Sequence, residues 1–151
     1  MTVQSRVDNT NFPFILSGSA LKKGGQVLLQ DAGRAIPLAF GTLMAKVAAS
    51  GKWVPFTDET ATNGAAIPQG IYVGEEIAAA DIVAGDIPDL EIIIGGGAIT
   101  VDSQQVVIES SKLLTTVITV GTTDLRTVED HMKNVGIFFE LTIDIDELEN
   151  T

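Results

Sequence analysis

Between Gly136 and Asp146, apolar Ile137, Phe139, Leu141, Ile143 and Ile145 alternate with Phe138, Glu140, Thr142, Asp144 and Asp146. A period of two puts five apolar side chains on one face of an extended strand and mostly acid on the other. Such a strand must lay its apolar face against a core. Just before it, Thr127-Val-Glu-Asp130 has capping-box spacing, Val128 and Met132 stand one helical turn apart, and Gly136 supplies a stop. The pattern predicts a short helix followed by a closing strand.

Upstream, short strand signals recur at close spacing, over 26–30, 42–48, 52–56, 70–73, 90–94, 98–101 and 105–110. Close spacing of short strands favours an all-β sandwich or barrel over βαβ units. Ser50-Gly51 and Asn63-Gly64 supply the positive-φ residues that tight turns need, and Gly95-Gly-Gly97 reads as a sharp loop. A further helical turn is expected over 78–84, ended by Gly85. The expected fold is mostly β (α+β), a compact sandwich or barrel-like body with one or two short helices.

The first 21 residues read differently. Polar residues surround a small apolar cluster, Phe12-Pro-Phe-Ile-Leu16, in which Pro13 removes a donor and pushes Phe12 toward extended backbone. Residues 1–21 are therefore expected to form an extended N-terminal arm and residues 22–151 a single body. Two roles fit the apolar cluster: it covers the edge of its own core, or it orders on a partner by adding a strand to an exposed sheet edge.

Charge narrows the partners. The net charge is −11, with six Lys/Arg against two Asp/Glu from Met1 to Phe56 and three against eighteen from Thr57 to Thr151. The acidic part repels phosphate backbones and anionic lipid, so nucleic acid and membranes are not expected partners. No apolar run approaches the ~20 residues that span a bilayer, and no leader pattern opens the chain, which predicts synthesis in the cytoplasm.

Catalytic signatures are weak. There is no cysteine, which removes disulfides, thiolate metal sites and Cys nucleophiles, and His131 is the only histidine. The acids from Asp144 to Glu149 lack the glycine turn and ligand order of an EF-hand. No Gly-Lys-Ser/Thr follows Gly95-Gly-Gly97, and nothing singles out Glu75-Glu76 or Asp86 and Asp89 as a working acid pair. No enzyme activity, cofactor, metal or small-molecule substrate is expected. Trp53, beside Lys52 and Val54-Pro55-Phe56, fits two roles: the largest core residue, or an aromatic anchor between subunits.

Several segments together resemble the lambda-type head decoration proteins of tailed bacteriophages. Arg34-Ala-Ile-Pro-Leu38 resembles the opening of that family's body, and Lys52-Trp53-Val54 its first hairpin. Asn63-Gly-Ala-Ala-Ile-Pro-Gln-Gly-Ile71 is similar to its turn into the next strand. Leu90 to Ile94 with the three glycines resembles the strand and loop that follow, and Thr127 to Ile145 the closing helix and strand. The resemblance implies a homotrimer on the outer surface of an expanded virus head. It would sit at three-fold and quasi-three-fold positions, with N-terminal arms gripping the major capsid protein. It assigns capsid contact to Val3, Val7, Phe12, Phe14, Ile15 and Leu16, and the trimer interface to Trp53, Pro55 and Phe56. The alternative from a different class is a β-sandwich receptor- or carbohydrate-binding module, which needs an exposed aromatic platform.

Overall fold

Two layers of strands share one core, and the front layer closes on itself as a barrel. The computed structural model describes residues 4–7, 14–18, 20–94, 98–121 and 126–140. Strands β3 (Ala20–Leu28), β4 (Leu43–Lys46), β5 (Trp53–Pro55), β6 (Pro68–Tyr72) and β7 (Ile87–Ile94) run in the order β3-β5-β4-β6-β7. β7 then pairs back onto β3, with Leu21 opposite Ile94 and Leu28 opposite Ile87, which completes a five-stranded closed barrel. Closure gives each of these strands a partner on both sides, and β1 covers the part of β3 that β5 does not reach. The second layer is a three-stranded sheet of β2 (Ile15–Ser17), β8 (Ile99–Asp102) and β9 (Ile137–Glu140).

β4 and β6 are buried on both faces, so they do not show the alternation of a half-exposed strand. Met44, Tyr72 and Ile92 point into the barrel, where they pack with Leu28, Leu38, Trp53, Ile82 and Leu90. Their neighbours Leu43, Ala45, Ile71 and Ile93 point outward into a second core shared with Phe14, Ile99, Val101, Met132 and Ile137. Trp53 fits inside because Gly70 faces it. A Cβ at Gly70 would lie 2.7 Å from Ile92 Cγ2 and 3.1 Å from the Trp53 ring. The indole N–H donates to Gln26 Oε1 at 2.8 Å, so this buried polar pair is satisfied.

Helix α1 (Ala79–Ala84) is where residues 78–84 predict a helical turn, and its buried Ile82 joins the barrel interior. Helix α2 (Val128–Asn134) carries the expected capping box: Thr127 accepts from the Asp130 N–H and the Asp130 carboxylate accepts from the Thr127 N–H. Val128, His131 and Met132, at i, i+3 and i+4, are its buried face. The chain then turns at Gly136 (φ 83°) into β9, with Ile137 buried and Phe138 and Glu140 exposed. The rest of the expected strand, 141–146, lies outside the described residues, as do Gly95–Gly97.

Three expectations need correction. A strand over 105–110 is replaced by a single 3-10 turn, Ser103–Gln105, and a lone bridge from Thr42 to Val107. β3 begins at Ala20, not near Gln26, because Leu21 to Lys23 pair with Ile92 to Ile94. The boundary between arm and body at 21/22 therefore falls inside a strand. The described parts of the arm are themselves laid on the body: β1 (Gln4–Val7) is antiparallel to β3 with Gln4 opposite Lys23, and β2 is antiparallel to β8.

Candidate partner-binding interface

The residues assigned to partner contact from sequence separate into three groups. Val3 and Phe12 lie outside the described residues, and Val7 ends β1 opposite Ala20. Phe14 and Ile15 are buried in the core between the layers, with the Phe14 ring edge-on to Phe40 at 5.4 Å. Their expected place against a capsid is corrected: both are buried within the chain, and the Asp102 N–H, donating to the Phe14 carbonyl at 2.7 Å, ties this segment to β8. Leu16 faces out, 42% exposed.

The subunit-contact assignment is corrected in the same way. Trp53 and Phe56 are fully buried within the chain, one in each core, and Pro55 is half-buried at a cleft of about 370 Å³ beside Val54, Thr57 and Ile82. Tyr72 is buried too, and its hydroxyl donates to the Glu75 carbonyl. Burial, with Glu91 and Glu75 nearby, pushes its pKa up to about 12. The tryptophan and the tyrosine thus offer no platform for a sugar ring.

An apolar surface exists elsewhere, on loops that sequence periodicity does not mark. Ile36, Phe40, Val107 and Leu113 are exposed large hydrophobics, Leu113 by 63%. Backbone bonds bring the loops around Phe40 and Val107 together. The Val107 N–H donates to the Gly41 carbonyl and its carbonyl accepts from Leu43, both at 2.9 Å. Gly41 has φ 88°, and a Cβ there would stand 2.6 Å from the Gln105 carbonyl, so glycine is required where the two loops touch. Arg34 ties the same loops by bonding to the Ile36 and Pro37 carbonyls and to Glu109. A shallow groove of about 400 Å³ lined by Val106, Ile108, Leu113 and Leu114 adjoins Leu113. Exposed apolar groups clustered on ordered loops fit a protein-contact surface.

The charged groups of this face are internally neutralised. Arg34 meets Glu109, and Lys112 lies 2.7 Å from Glu59. Elsewhere Lys22 pairs with Glu91, Lys52 with Asp86 and Lys133 with Glu129. The hydrogen bond from Lys52, with one from the Gln30 N–H, holds the Asp86 pKa below the usual 3.8. His131 is buried on α2, and among the described residues no three His, Cys, Asp or Glu converge as a metal site. Among the described residues no helix is long and apolar enough to cross a membrane.

No family model, curated protein or solved structure matches this chain.

Proposed function

We propose that the chain is a bacteriophage capsid decoration protein, a trimer that braces the outside of the virus head. The carrying observation is the resemblance of five segments from Arg34 to Ile145, in the order in which the chain uses them. The mostly β body and its exposed loop face supply what a non-catalytic brace uses: rigid scaffold and apolar contact area. In this reading the exposed Ile36, Phe40 and Val107, with Leu113 beside its own groove, supply the contacts between body and protein neighbour. Val3, Val7, Phe12 and Leu16 are the gripping residues of the arm, while Phe14 and Ile15 anchor it to the body. Three arms on one trimer act at high effective concentration once the first has docked, so each grip can be weak.

The test is binding of purified protein to expanded and unexpanded heads, read by co-sedimentation and cryo-electron microscopy. Three-fold knobs on expanded heads support the proposal. A chain that stays in the supernatant with both kinds of head defeats it.

A further inference from the structure

Lys23 and Lys46 pair with no carboxylate among the described residues of a chain that carries twenty acids. They are also neighbours. Lys23 stands opposite Ile92 on β7, and Lys46 opposite Trp53 on β5. Residues directly opposite in a ladder share a face, and Ile92 and Trp53 point into the barrel. Both lysines therefore belong to the inward face. Each is half-exposed, as expected at a rim. β5 meets β3 only at Leu28, and at Lys23 the strand on that side is β1, with Gln4 opposite, so Lys23 lies beyond the five-stranded wall. α1 packs at the other end, where the Asp31 N–H donates to the Ile82 carbonyl.

The Lys46 ammonium sits 5.0 Å from the centre of the Trp53 ring, which steadies it by cation–π attraction. Partial burial and the adjacent Lys23 ammonium lower the Lys46 pKa below the usual 10.5. Two like charges side by side at a half-exposed rim repel, and an anion placed between them reverses that penalty. Exposed acids stand elsewhere on the chain, among them Glu75, Glu76, Asp81 and Asp89. A closed ring of three copies needs a heterologous contact, one face of each copy on a different face of the next.

We infer that Lys23 and Lys46 form a carboxylate site at the open rim of the barrel, filled by an acidic side chain of a second copy of this chain. The inference rests on the trimeric reading above. Each ammonium donates to the incoming carboxylate, and Trp53 fixes the geometry from beneath. The contact also gives the ring its direction, because the donor and acceptor faces differ.

Sedimentation equilibrium of the full chain at low and high salt tests this, with Lys23→Gln/Lys46→Gln and Lys23→Arg/Lys46→Arg as variants. At low salt the glutamine variant should associate roughly tenfold more weakly or worse. Its salt dependence should flatten, and the arginine variant should restore both. Trp53 emission, from the only tryptophan, reports whether the glutamine variant keeps its barrel. If it does not, the wild type decides, since a trimer indifferent to salt overturns the site. A glutamine variant that forms trimers with the wild-type salt slope also overturns it and leaves the trimer standing. A wild type that stays monomeric at every concentration overturns the trimer and this occupant together.

Discussion

Arg34 donates two parallel hydrogen bonds of 2.6 Å to the Glu109 carboxylate, 75 residues along the chain. Both side chains are 6% exposed. A fork-to-fork pair of this kind fixes direction as well as distance, so it sets the two apolar loops in one orientation. Its net contribution to stability is small, but half of it left alone is a buried charge. Arg34→Ala should therefore lower unfolding free energy by about 3–5 kcal/mol, whereas joint replacement by Met and Leu should lose much less. Urea denaturation of the three proteins checks the contrast.

The loop face is predicted to serve association and not folding. Leu113→Ser, at the most exposed large hydrophobic among the described residues, should change stability by no more than ~0.5 kcal/mol and weaken assembly or head binding. Thermal melting and co-sedimentation of the same preparation separate the two effects. A variant that binds as the wild type does removes Leu113 from the interface.

Truncation from the front should show a step. Removing residues through Pro13 takes an edge strand and leaves the core between the layers intact, so the body should stay folded and lose head binding. Extending the cut through Ser17 removes buried Phe14 and Ile15 and the partner of β8. The loss of two core side chains alone should then exceed about 3 kcal/mol. Chemical denaturation of the two truncations locates the step.

Tyr72, the only tyrosine, gives an optical titration without overlap from others. Its pKa is raised from 10.0 to about 12 in the fold, so the folded protein holds the phenolic proton more tightly than the unfolded chain does. The stability this represents is fully present below pH 10 and is lost as pH rises through about 12. Phenolate absorbance should thus appear near the upper value in native protein and near the lower one in urea.

The α2 cap works with the opposite sign. Hydrogen bonds from the Thr127 backbone and side chain hold the Asp130 pKa below 3.8. The capped carboxylate contributes above that value, and its contribution is lost as pH falls through the lower folded pKa. Asp130→Asn should flatten the acid limb of melting temperature against pH, measured by circular dichroism.

What was legible in the sequence was whatever local chemistry decides. The Thr127–Asp130 cap, the turn at Gly136 and the outward Phe138 and Glu140 follow from spacing alone. The start of β3 was not legible, because Lys22-Lys23-Gly24-Gly25 carries no strand signal and is held extended by Ile92 to Ile94 from across the barrel. Trp53, an aromatic beside a hairpin, fits a core or an interface. Only closure of the barrel, with Gly70 opposite, decides it. The rim lysines were hidden for the same reason: Lys23 and Lys46 become neighbours through strand register, which no short stretch of chain encodes.

Strand β8 has a piece from the front of the chain on one side and, on the other, β9, parallel to it from Ile99 opposite Ile137 to Asp102 opposite Glu140. During synthesis this layer must wait until residue 140 has left the ribosome, and the outward-facing core of the finished barrel waits uncovered with it. Long-range parallel pairing is also slow to form. A nascent chain of this protein is thus sticky until its last described strand arrives, and production should favour conditions that shelter or slow the growing polypeptide.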